Sequence, residues 1–151
     1  MNLALLFSLL LLTSILTACG SSPAPKKIDG TWNASLVNSN SSEAYTFAAT
    51  LSQATGTTVS VSNFNFTSAA PCFTAPLGQT ATFSATGNSG GYQTGPFGMS
   101  VGTGLMTPVE NVLTLTGTRN ADGSISGKWT LTGLSGCSAS GSYTMNQFLP
   151  M

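Results

Sequence analysis

Four carboxylates, four basic side chains, three cysteines and no histidine are what this 151-residue chain offers for acid–base, nucleophilic or metal chemistry. Without histidine, Ser-His-Asp and Cys-His nucleophilic schemes are excluded, and the usual catalytic zinc sites lose their commonest ligand. The carboxylates are Asp29, Glu43, Glu110 and Asp122. Glu43 and Glu110 border expected strands and could be paired on paper as a glycosidase-like acid and base, but solvated surface charge is the favoured reading. Asp122 sits in a hairpin sequence and reads as a turn former. Gly87-Asn88-Ser89-Gly90-Gly91 lacks the strand-to-helix setting and the lysine of a phosphate loop, so it reads as a flexible turn. No catalytic residue, metal site or cofactor is expected, and the chain is expected not to be an enzyme.

Cysteine is the residue type that remains informative. Leu16-Thr17-Ala18-Cys19 follows directly on the apolar run from Leu3 to Leu16, which has the length of an export signal and is too short to span a bilayer comfortably. These four residues resemble the lipobox of bacterial lipoproteins. The resemblance implies removal of residues 1–18 as a signal peptide and attachment of acyl chains to Cys19, whose several chains together make a lasting anchor where one alone binds marginally. Gly20 after the cysteine implies sorting to the outer membrane of a double-membraned cell. Residues 19–29 then form the lipidated cysteine and a polar, proline-containing tether, and residues 30–151 form the folded domain.

With Cys19 so used, Cys72 and Cys137 are left as one pair in an exported chain, where thiols are normally oxidised, and they are expected to bridge. About 130 residues after the signal suit one domain. The formal charge is zero, which provides no electrostatic footprint for nucleic acid, and Lys26-Lys27 is too short for a polybasic membrane patch.

Ser, Thr, Asn and Gly dominate every segment, and no window after Cys19 repeats apolar residues at helical spacing, so the domain is expected to be all β. Period-two alternation predicts strands at 30–37, 45–53, 57–66, 79–86, 96–103, 111–118, 124–132 and 138–145. Val59 and Val61 share one parity while Phe64 and Phe66 share the other, which predicts a bulge near Ser62-Asn63. Ala81, Phe83 and Ala85 should face together, as should Phe97, Met99 and Val101. Asn120-Ala121-Asp122-Gly123 predicts a tight hairpin.

Eight sequential strands with short connections favour a single antiparallel up-and-down barrel, with a β-sandwich as the alternative. Gly30-Thr31-Trp32, Gly127-Lys128-Trp129 and Gly141-Ser142-Tyr143 share a Gly-x-aromatic form, in which each glycine is expected to leave room beside its own ring. The first of these, with the meander, resembles the calycins, the lipocalins and avidins, in which such a motif closes the base of the barrel. That resemblance implies a membrane-anchored envelope protein holding a small apolar ligand or lipid, for which Phe47, Phe83, Trp129 and Tyr143 are the candidate lining. The alternative is a barrel filled by its own aromatics, acting as a structural or protein-interaction element with an envelope protein as partner.

Overall fold

Among the described residues, alternating apolar and hydroxyl-bearing residues form nine strands: β1 (Gly30–Asn38), β2 (Glu43–Ser52), β3 (Thr58–Phe66), β4 (Gly78–Phe83), β5 (Gly87–Ser89), β6 (Tyr92–Gly102), β7 (Val112–Arg119), β8 (Ile125–Thr132) and β9 (Ala139–Gln147). This computed structural model describes residues 26–73, 77–102, 111–134 and 136–148. The expected signal peptide at 1–18, Cys19, residues 103–109 and Glu110 lie outside the described residues.

Every strand pairs antiparallel with its neighbours, and β4 pairs with β6, so eight strands close into an up-and-down barrel. This is the barrel expected from the sequence and implied by its likeness to calycins. The ninth, β5, only lengthens the hairpin between β4 and β6. There the expectation is corrected twice: the strand stops at Phe83 and leaves Ala85 exposed, and Gly87–Ser89 is strand while Gly90 and Gly91, with positive φ, make the turn.

Inward positions follow the predicted parity. Trp32, Ala34 and Leu36 on β1, Phe97, Met99 and Val101 on β6, and Ile125, Trp129 and Leu131 on β8 are all buried in one core. The bulge in β3 is present: Asn65 opposes Ala48 while Ser62 opposes Thr50, and Asn63 has φ 51°. That extra residue re-aims the strand, so Val59 before it and Phe66 after it both reach the core. Among the described residues the wall is thinnest between β3 and β4, where Thr58 opposes Thr82, Val59 opposes Ala81 and the Phe83 amide donates to the Thr57 carbonyl at 2.8 Å.

In the hairpin between β7 and β8, Gly123 alone takes positive φ, at 86°. Asp122 turns the chain through its side chain, whose Oδ1 accepts from the Ser124 amide at 2.9 Å and the Ser124 hydroxyl at 2.7 Å. Those bonds to the charged form hold its carboxyl below the usual aspartate range.

Up-and-down order gives the barrel two unlike ends. Gly30, Gln147 and the β2–β3, β4–β6 and β7–β8 connections lie at the entry end, where the chain comes in; the β1–β2, β3–β4 and β8–β9 connections lie at the far end.

Candidate functional site

The four residues proposed to line a chamber lie in the wall with almost no free surface. Phe47 is 1%, Phe83 0%, Trp129 1% and Tyr143 2% exposed, so their side chains are packed against protein, and Trp129 and Phe47 meet open space only at the edges of shallow clefts on the outer wall. They are not gathered round one point. Phe47 packs with Phe64 at 5.0 Å and Phe66 at 6.3 Å, Trp129 meets Tyr45 edge-on at 6.0 Å, and among the described residues no aromatic contact joins two of the four.

Glycines make this filling possible, in a different way from the expected one. The space left by Gly141 receives the Trp129 indole of the adjacent β8, whose Nε1 donates to the Val37 carbonyl at 2.9 Å. A methyl group on Gly117 of β7 would stand 2.6 Å from the Tyr143 hydroxyl of β9. Of the three Gly-x-aromatic glycines only Gly141 accommodates a ring, and that ring comes from the adjacent strand; Gly30 faces the Gln147 side chain and Gly127 the backbone of Thr116 and Gly117. Burial pushes the Tyr143 phenol well above the usual tyrosine range, and among the described residues its hydroxyl has no hydrogen-bond partner.

At the entry end the Gly30-Thr31-Trp32 segment does close the barrel, with help the sequence reading did not anticipate. Trp32 is buried and donates from Nε1 to the Ile28 carbonyl at 2.8 Å. The guanidinium of Arg119 lies over both the Trp32 and Tyr92 rings, each at 5.5 Å, and donates to the Lys26 carbonyl at 2.8 Å. Burial lowers the pKa of this arginine, while Tyr92 and Asp29 pull the other way. Among the described residues its Nε and second terminal nitrogen have no hydrogen-bond partner.

Residues 26–29, read from sequence as the end of the tether, therefore dock on the barrel. Lys26 bridges to Tyr92 in parallel, Ile28 is fully buried, and Asp29 accepts from the Gln53 amide at 2.6 Å through Oδ1.

The far end is shut covalently. Cys72 and Cys137 are disulfide-bonded, as expected, and Cys72 is buried while Cys137 is half-buried. The bridge lies at the rim, since Cys72 precedes β4 and Cys137 precedes β9. Asn111 reinforces it: its Nδ2 donates to the Cys72 carbonyl at 2.8 Å, and its Oδ1 accepts from the Leu134 amide at 3.1 Å. Phe73, next to the bridge, stacks on Phe66 at 4.9 Å and meets Tyr45 edge-on at 6.1 Å.

Outside, the wall carries hydroxyl and amide groups. A cleft of about 500 Å³ borders Asn38, Ser39, Lys128, Thr130 and Ser140, and one of about 420 Å³ at the entry end borders Lys27, Asp29, Gln53 and Gln93. Both are shallow and open to solvent. Glu43 is exposed on β2, and its suggested partner Glu110 lies outside the described residues.

Arg119, Phe73 and Asn111 are the residues that sequence reasoning missed. Arg119 continues the inward parity of Leu113, Leu115 and Gly117, a signal available had the strand been extended by one residue. No protein-family model, no curated protein and no solved structure matches the chain.

Proposed function

We propose that this chain is a non-catalytic lipoprotein of a bacterial cell envelope, anchored through acylated Cys19 in the outer membrane, whose filled barrel serves as a structural or protein-interaction element. The observation that carries the filled-barrel reading is the burial of Phe47, Phe83, Trp129 and Tyr143 to 2% exposure or less. A chamber for a small apolar ligand needs inward side chains with free surface. The envelope placement rests on the lipobox sequence and on a single bridged cysteine pair, a pattern suited to an oxidising compartment.

Geometry supports the direction of display. Lys26 docks beside Tyr92 at the entry end, so an anchor at Cys19 brings that end toward the membrane and leaves the strapped far end, with exposed Leu134, facing outward to a partner.

Native mass spectrometry of the protein isolated from its host membrane tests both parts. The expected mass is that of residues 19–151 with acyl chains on Cys19, two hydrogens fewer than the dithiol form, and no other adduct. A stoichiometric small-molecule adduct on the folded protein overturns the filled barrel, and an unmodified Cys19 overturns the anchor. In cells, Cys19→Ala should move the protein to the soluble fraction.

A further inference from the structure

After β3 the chain runs through Ser68–Phe73 across the far end and is fastened to Cys137 ahead of β9, three strands away round the wall. Phe73 is the part of this strap that enters the barrel. It is 8% exposed, its ring lies nearly parallel to Phe66 at 27°, and Tyr45 closes one edge. Beneath it the aromatic layer continues, Tyr45 to Trp129 and Phe66 to Phe47. Tyr45 and Phe66 are half-buried even with Phe73 in place. Phe73 is thus the outermost layer of an aromatic stack whose lower members belong to the rigid wall.

Besides the bridge, the start of the strap is tied to β2, where the Ser68 hydroxyl accepts from the Thr46 amide at 2.9 Å and the Ser68 amide donates to the Thr46 carbonyl at 3.3 Å; beyond Ser68 the ties among the described residues are few. Phe73 donates its amide to the Ala70 carbonyl at 2.9 Å, within the strap itself. The tie from the strap to β7 is the Asn111 bond to the Cys72 carbonyl. Beside it, among the described residues β3 and β4 are joined near the entry end, by Thr58 opposite Thr82, Val59 opposite Ala81 and the Phe83 amide donating to the Thr57 carbonyl, away from the strap.

We infer that Ser68–Phe73 is a redox-released strap: with Cys72–Cys137 intact Phe73 plugs the mouth, and when the bridge is cut the ring leaves and a planar apolar molecule takes its stacking place on Phe66. A dithiol supplies the two electrons. One of its thiolates attacks Sγ of Cys137, the more exposed partner, and the disulfide bond breaks with Cys72 leaving as a thiolate. The second thiol of the reductant then displaces Cys137, so the two protons of the dithiol end on the two cysteines and the reductant departs as a disulfide. Oxidised, the barrel is filled; reduced, it offers one aromatic site. This goes beyond the filled-barrel reading and rests on the far-end geometry alone.

The test uses the full chain, with protein-free medium of equal lipid or detergent content as blank. N-phenyl-1-naphthylamine is the planar probe, and hydrogen–deuterium exchange reads the backbone. Oxidised wild type should bind no probe above the blank, whereas oxidised Phe73→Ala, which keeps the bridge, should bind one per chain. Dithiothreitol should speed exchange over Ser68–Phe73 at least about tenfold while β8 and β9 stay folded, their exchange quickening no more than the global loss of stability requires, and should create the same single site.

The pair Cys72→Ser with Cys137→Ser should repeat the reduced result without reductant. Absence of probe binding in folded Phe73→Ala overturns the site. Unchanged exchange in the strap after reduction overturns the release, as does unfolding of β8 and β9 along with it, because the bridge then holds the whole barrel together rather than the plug. A native adduct on the oxidised wild type counts against the filled barrel instead, so the two readings fail separately.

Discussion

At the entry end the barrel is shut by a buried cation held between two rings, with a short length of incoming chain laid over it; at the far end it is shut by a disulfide that draws a loop across the mouth. Arg119 contacts Trp32, Tyr92 and the Lys26 carbonyl, all groups that separate freely once the fold opens. Cys72 and Cys137 remain joined in the unfolded chain. The entry closure therefore depends on local packing, and its loss is felt mainly by residues 26–29. The far closure acts on the denatured ensemble and should be felt by the whole domain.

That contrast sets the largest expected effect. Replacing both Cys72 and Cys137 with Ser releases a loop of 65 residues in separation, which in a chain-entropy treatment removes about 4 kcal/mol. Urea unfolding of the oxidised parent and the double variant measures it. A loss below about 1 kcal/mol would make the two ends equivalent and end the comparison.

Next in size is Arg119→Leu. Two cation–π contacts and a charged hydrogen bond are lost, partly offset by relief of the buried, incompletely paired guanidinium, leaving a cost of about 2 kcal/mol. Its distinctive consequence is local: trypsin should cleave after Lys26 or Lys27 faster than in the parent, while the bridge and β9 stay intact. Unaltered cleavage would mean that Ile28, seated in the core, fixes the segment by itself.

The wall of this barrel was more legible in the sequence than its closures. Period-two alternation placed eight strands and the inward set because a strand's faces are fixed by parity, and the parity slip between Val61 and Phe64 marked the bulge at Asn63. Parity failed at Ala85, where the strand breaks and the chain bends into the β5 extension. It also could not assign the glycines, because whether Gly141 faces its own Tyr143 or the indole of Trp129 depends on the register between strands. The closures belong to connections, whose paths no periodicity encodes. Cys72 and Cys137 were readable from redox logic, but the ring of Phe73 and the amide of Asn111 gained their roles only from where the bridge draws the loop.

Asn111→Ala sharpens the far end. It removes two neutral hydrogen bonds that join β7 to Cys72 and Leu134, at a cost of about 1 kcal/mol, and leaves the bridge in place. Exchange should quicken at Leu134 and at Cys72–Phe73 and stay unchanged at Ile28. Quickening at both ends would show that the closures are coupled through the core.

The smallest effect at neutral pH is expected between the ends, at Tyr143, opposite Gly127 in the middle of the wall. Its hydroxyl is buried without a partner among the described residues, so Tyr143→Phe removes an uncompensated polar group and should leave stability within about 1 kcal/mol of the parent, shifted toward stabilisation. The difference grows with alkali. Burial raises the folded-state pKa of this phenol above the ordinary 10.0, so above about pH 10 the unfolded chain has shed a proton that the folded barrel retains, and stability falls as pH rises. Tyr45, raised by the same cause, adds to that limb. Below pH 10 both phenols are protonated in either state and contribute no slope. Urea midpoints followed from neutral pH to beyond pH 10 should therefore decline less steeply in Tyr143→Phe than in the parent. A loss of more than about 2 kcal/mol at neutral pH would instead reveal a hydrogen bond to that hydroxyl, and with it a polar link through the core that joins the two closures.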